Sequence, residues 1–245
     1  MKQIWKQTWR QRLAAALIQL LMVLAMAGVG IRMPVQAAEK NAVTQSGEMK
    51  VHFLDVGQGL SILAQSEGKT MIYDGGDRKT SRFVVSYLKE HGVSKIDYLI
   101  SSHYDADHMT GLIGCLNAFD VKNVISSNYV HTSKLYQSFV KAVKSDGLKM
   151  QHPAVGKTYK FGRGSSEILA PKTIEAKGSN NNSVAIKLMN GENSFVFTGD
   201  AEHESEAAMC NSGIDLSCDV LVPGHHGSAT ATSWDFLQKT VPEYA

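Results

Sequence analysis

Cysteine is scarce in this 245-residue chain, which holds only Cys115, Cys210 and Cys218. An odd count at those spacings makes no zinc ribbon, no CxxC redox pair and no disulfide-stapled scaffold. Cys210 and Cys218 read either as a structural pair in an oxidising setting or as plain buried thiols, and Cys115 reads as an apolar helix position. Proline is rare as well, at five residues, which excludes polyproline and collagen-like rods. Internal repeats and low-complexity tracts are absent, which excludes a solenoid. Nor does one sign of charge dominate, because 25 Lys and Arg face 23 Asp and Glu for a formal net charge of +2. Lys2, Lys6, Arg10, Arg12 and Arg32 stand in an N-terminal stretch with no acid, residues 1–37; removing these five from +2 leaves about −3 for the rest. A strongly cationic nucleic-acid surface is therefore missing on average, and Lys134, Lys141, Lys144 and Lys149 read as the solvated face of a helix.

What is present is a globular composition, 43% hydrophobic and 20% charged, with length for one sizeable core. The basic start, the apolar stretch from Leu13 to Ile31 and the small residues at Val35-Gln36-Ala37 predict a secretory signal over residues 1–37, cut after Ala37. An uncleaved tether through residues 13–31 is the alternative, since that stretch approaches the length of a bilayer span. Either way the body is expected outside the cytoplasm. Residues 38–48 are expected to be a short linker, and residues 49–245 one domain.

Within that domain, 51–56, 60–65 and 70–73 have strand composition and are divided by Gly57-Gln58-Gly59 and Glu67-Gly68. Phe83, Val84, Tyr87 and Leu88 recur at helical spacing over 81–90, with Gly92 placed to end the helix. Strands are predicted at 96–100, 121–126 and 219–222, helices at 112–119, 133–144, 201–209 and 233–240, and a hairpin of 183–189 with 194–198 across Asn190-Gly191-Glu192-Asn193. This mixture of strands and helices in two halves predicts two packed sheets with helices outside.

The chemistry is concentrated in His103-Tyr104-Asp105-Ala106-Asp107-His108. Two imidazoles and two carboxylates directly after an apolar strand are the ligand density that a two-metal hydrolytic site needs. His103 and Asp105 can hold one ion while Asp107 and His108 hold a second. Two further ligand clusters, ending in Asp200 and in His225-His226, also follow hydrophobic runs, so all three are expected on one rim. Lone histidines carry less weight: His52, His91, His131 and His203 read as surface residues.

Leu54-Asp55-Val56-Gly57-Gln58-Gly59, Tyr73-Asp74-Gly75-Gly76, Ser102-His103 through Gly111, Asn182-Ser183, Thr198-Gly199-Asp200 and Val222-Pro223-Gly224-His225-His226-Gly227-Ser228 occur in an order that resembles the metallo-β-lactamase superfamily. Within it, the chain is most similar to the hydrolase domain of ComEC-type competence proteins, and the likeness covers nearly everything after Met49. The resemblance implies an α/β fold, an αββα sandwich, whose closing C-terminal strands are expected to be missing because the relatives continue past Ala245.

It further implies two divalent ions, manganese or zinc, held by His103, Asp105, Asp107, His108, Asp200 and His226, with Asp200 between them and a shared water turned into hydroxide. His226 is the preferred ligand of its pair, leaving His225 beside the substrate as a proton donor, although the reverse assignment stays open. Asp107 and His225 are the catalytic candidates, and Asp74 is expected to orient a ligand from behind.

Asp105 stands where lactamase and glyoxalase relatives carry histidine, and a hard oxygen ligand favours manganese. Leu60 replaces an acid, and no histidine precedes the Asn180 to Ser183 run to complete the first ion's ligands; His152 is a candidate for that gap. The function implied is an extracytoplasmic phosphodiesterase acting on DNA or another phosphodiester. A cell-wall or phosphorylcholine phosphodiester esterase, and a catalytically weak surface binding protein that keeps the fold, are the alternatives. No obligate protein partner is evident.

Overall fold

The computed structural model describes residues 47–175 and 178–245. The expected signal and tether, and nearly all of the expected linker, lie outside these residues. No described helix is long and apolar enough to cross a membrane.

The strands are β1 (Met49–Phe53), β2 (Ile62–Ser66), β3 (Lys69–Tyr73), β4 (Lys95–Ile96), β5 (Tyr98–Ser101), β6 (Asp120–Val121), β7 (Val124–Ser126), β8 (Met150–Gln151), β9 (Thr158–Phe161), β10 (Gly164–Ala170), β11 (Ala185–Asn190), β12 (Asn193–Phe197) and β13 (Val220–Val222). The helices are α1 (Ser81–Glu90), α2 (Ala106–Ala118), α3 (Lys134–Ser145), α4 (His203–Cys210) and α5 (Trp234–Thr240). A six-stranded sheet runs in the order β1-β2-β3-β5-β7-β8 and a five-stranded sheet in the order β13-β12-β11-β10-β9.

Strand side chains alternate between two faces, and here that alternation sorts the core into layers. Leu63, Ile72, Leu99 and Val124 point to a cluster with Val84 and Leu88 of α1, Leu112 and Cys115 of α2, and Phe139 and Val143 of α3. Their strand neighbours Ile62, Met71, Tyr73, Ile100 and Ile125 face the opposite way, onto Phe161, Ile168, Ile186, Leu188 and Phe197 of the second sheet. The far face of that sheet, through Leu169, Ala185, Val196 and Leu221, packs on Met209 of α4 and Phe236 of α5. The layering is therefore helix, sheet, sheet, helix, as the sequence predicts. A strand covered on both faces reads as a continuous apolar run, and Tyr98 to Ile100 is such a run.

The hairpin β11–β12 pairs Asn190 with Asn193, and Gly191 sits at φ 65°, the left-handed backbone that a two-residue turn requires. Ser133 and Ser233 cap α3 and α5 by accepting the backbone N–H of Tyr136 and Phe236. Helix α2 departs from expectation: it begins at Ala106, well before the predicted Leu112, with Asp105 as its N-cap residue. Its first turn is the ligand run itself, whose His and Asp have weak helix propensity and so hid the helix from periodicity. Cys210 and Cys218 are free thiols, so of the two readings open for them the structure has the unpaired one.

Candidate metal centre

Parallel strands β3, β5 and β7 in one sheet and β12 and β13 in the other present their C-terminal ends along a common rim. Asp74 follows β3, His103 follows β5, Asp107 and His108 occupy the first turn of α2, Asp200 follows β12, and His225 and His226 form a short 3-10 turn after β13. Two close approaches seat these loops. A side chain at Gly111 would run into the Gly75 carbonyl, and one at Gly224 would run into the Ala201 carbonyl, so the absence of a Cβ lets α2 and the His225-His226 turn close on the site.

Asp200 lies at the centre. Its Oδ1 is 3.1 Å from His108 Nε2, and its Oδ2 is 3.6 Å from His103 Nε2 and 3.4 Å from His226 Nε2. His226 Nε2 is also 3.2 Å from Asp107 Oδ2 and 3.3 Å from His108 Nε2, and Asp105 Oδ2 is 3.7 Å from His103 Nε2. The structure thus gathers six of the predicted residues, His103, Asp105, Asp107, His108, Asp200 and His226, from three separate segments. His103, His108 and Asp200 form one group able to hold a metal ion, and Asp107, His108 and His226 form another. His108 belongs to both groups, where the sequence alone had divided the ligands cleanly between two ions.

The residues fit a cation. His103 Nε2 and Asp200 Oδ1 are buried without a hydrogen-bond partner; Asp200 Oδ1 approaches His108 without hydrogen-bond alignment. Orphaned buried polar atoms are costly, and here they converge. Burial pushes His108 toward its neutral form, but Asp74 and then Asp200 outweigh burial and hold the imidazole up at about 10. Contact with Asp107 and Asp200 raises His226 to about 9. Contact with His103 lowers Asp105 to about 2. Burial opposes the charge of Asp200, yet the close imidazoles of His108 and His226 hold its carboxyl well below the usual carboxylate range. This concentration of negative charge draws protons onto the imidazoles, and a divalent ion answers the same field.

Supporting contacts fix the ligands. Asp74 Oδ2 is 2.8 Å from His108 Nδ1 and accepts the Ser102 hydroxyl at 2.7 Å, while Asp74 Oδ1 accepts the Ser102 amide at 2.7 Å. Ser183 Oγ accepts the Asp200 amide at 3.1 Å, and Ser179 Oγ donates to Asp105 Oδ1 at 2.7 Å. The contact of Ser179 was not foreseen; a serine ahead of an asparagine run carries no sequence signal of it.

His225 is placed differently from the other candidates. Its Nδ1 lies 3.0 Å from Glu202 Oε1 and 3.1 Å from Thr230 Oγ1, and Thr230 donates to Glu202 at 2.7 Å. Among the described residues it pairs with none of the cluster's carboxylates. His225 and His226 both have left-handed backbone, φ 47° and 54°, unusual for non-glycine residues and a form of strain found at functional sites. His152 does not join the cluster: its Nδ1 is 2.9 Å from the Ser126 carbonyl oxygen.

Two cavities flank the centre. One, of about 680 Å³, is lined by Gly59, Leu60, Val222 and Pro223 together with His108 and His226. The other, of about 540 Å³, is lined by Tyr129, Val130, His131, Ile174 and Ser179 and adjoins Asp105 through Ser179.

Residues 54–242 match the profile of the metallo-beta-lactamase superfamily. The chain belongs to that superfamily, whose members are generally metal-dependent hydrolases. It is 27% identical over 219 residues to ComE operon protein 3 of Bacillus subtilis, covering 82% of this chain and 28% of that protein. It is 31% identical over 204 residues to Recombination protein 2 of Haemophilus influenzae, covering 80% of this chain and 24% of that protein. The chain therefore spans about a quarter of the length of these relatives. Among solved structures, metallo-β-lactamase SMB-1 bound to 2-mercaptoethanesulfonate shares the fold, with a TM-score of 0.51 and 16% identity over 78% of this chain and 88% of that one.

Proposed function

We propose that this chain is an extracytoplasmic, binuclear metal-dependent phosphodiesterase, with DNA as the substrate implied by its similarity to competence proteins. The observation that carries the reading is the oxygen-rich ligand set, in which Asp105, Asp107 and Asp200 converge with His103, His108 and His226. Hard carboxylate ligands favour manganese while still accepting zinc. Divalent ions held by these residues would supply an activated water and neutralise charge on a phosphoryl oxygen.

The protein's own contribution is placement. Asp200 is held between the two ligand groups by Ser183, Asp105 is held by Ser179, and Asp74 keeps the Nδ1 of His108 occupied so that Nε2 faces the centre. The cavities to either side give a phosphodiester room for both of its ester arms. His225, braced by Glu202 and Thr230, stands at the rim beside His226.

The test is hydrolysis of a chromogenic phosphodiester by the manganese-loaded chain. Turnover that is abolished by Asp107→Ala and by chelation supports the proposal. A chain that binds less than one ion and turns over no phosphodiester would instead be a binding protein retaining the fold.

A further inference from the structure

Outside the metal centre, one surface feature stands against the charge of the whole. Residues 38–245 carry about −3, yet Arg78, Lys79 and Arg82 line one side of a cleft of about 550 Å³ between α1 and α2. Thr110, Ile113 and Asn117 of α2 line the other side. All three cations are exposed, and among the described residues none forms a salt bridge. The one acid beside them in sequence, Asp77, has a carboxylate oxygen already accepting from the backbone N–H of Lys79 at 2.7 Å and of Thr80 at 3.1 Å. The first turn of α1 contains no acidic residue.

This cleft shares α2 with the metal centre. The loop that carries Asp74 leads within four residues to Arg78, and the Gly111 amide of α2 donates to the Gly76 carbonyl at 3.2 Å, which ties that loop to the helix. Along α2, Thr110 lies one turn beyond Asp107, and Asn117 about 15 Å beyond it at 1.5 Å per residue. A strand of successive phosphates entering at Asp107 and following α2 would meet the three cations in turn. A small ester confined to the centre would meet none.

We propose that the α1–α2 cleft is a track for the backbone of a polymeric phosphodiester, holding phosphates to one side of the bond that is cut. This rests on the phosphodiesterase reading above and narrows it to a polyanionic chain. Among the described residues the side chains of Arg78, Lys79 and Arg82 form no hydrogen bond or salt bridge and are exposed, so Arg78→Gln, Lys79→Gln and Arg82→Gln can be combined in one folded protein.

The experiment measures binding of a labelled single-stranded oligodeoxynucleotide to the full chain across a salt series, with chelator present to prevent cutting. In parallel it measures turnover of a small chromogenic phosphodiester by the manganese-loaded protein. The triple variant is expected to bind the oligonucleotide about tenfold more weakly, with a salt slope smaller by about 2, since each phosphate contact to a single strand contributes roughly 0.7. Its turnover of the small ester should equal that of the parent. Equal affinity and equal slope in the two proteins would overturn the track, as would a parent chain that does not bind the oligonucleotide. Loss of binding in the variant with no hydrolysis of any ester by the parent would uphold the track and overturn the hydrolase.

Discussion

Asp74 and His108 are 34 positions apart in the chain, yet Asp74 Oδ2 lies 2.8 Å from His108 Nδ1. A fully buried carboxylate thereby sets which nitrogen of an imidazole in the candidate metal centre is free. Asp74→Asn should leave the fold in place and lower metal affinity roughly 10- to 100-fold, read by competition with a chromogenic chelator. Unchanged affinity would mean that His108 needs no partner to be a ligand.

Metal should also stabilise the folded chain, because the ligands converge only when it is folded. With manganese at about 100 times its dissociation constant the gain is about 2.7 kcal/mol per site. A thermal melt should therefore move upward on adding the ion and return on chelation. A melt indifferent to both would count against the centre.

Asp105 is the ligand position where chemistry can be changed with the least disturbance, because its carboxylate is half-exposed and its partners are His103 and Ser179. Asp105→His exchanges a hard oxygen for a nitrogen and should move the preference from manganese toward zinc. The ratio of the two dissociation constants, measured by calorimetry on parent and variant, checks this. A ratio that does not move toward zinc would show that Asp105 is not a ligand.

Far from the centre, Asp97 accepts the Lys69 ammonium and the Thr70 amide and lies 3.2 Å from Lys95. Burial raises its pKa, but the two lysines and the amide outweigh that, and the carboxyl ends below its ordinary value. A depressed folded-state pKa contributes stability that is fully present above the unfolded value of about 3.9 and is lost as pH falls through the folded one. Asp97→Asn should cost about 1–3 kcal/mol at neutral pH and narrow its gap from the parent in strong acid. Urea titrations at both pH values provide the comparison.

Much of the site was legible because its ligands are short-range in sequence and chemically distinctive: His103 to His108, Asp200 and His225-His226 each follow a hydrophobic strand. The residues that were not legible are those whose role depends on distance in space. Ser179 is an ordinary loop serine until folding sets its hydroxyl 2.7 Å from Asp105. Glu202 is an ordinary helix-cap position until it meets His225. The start of α2 was hidden for the opposite reason, since residues chosen as ligands are poor helix formers, and tertiary packing on the Gly75 loop makes the helix regardless.

The order of strands and helices, the two-faced burial of the central strands and the identity of the candidate ligand residues were determined by the chain alone, because propensity, periodicity and donor chemistry are local properties. Which of two adjacent histidines faces Asp107 and Asp200, that His108 is shared by both candidate ligand groups, and that three exposed cations border a groove along α2 were decided only by the tertiary structure. Those are matters of direction and distance between segments, set when two sheets close on one another.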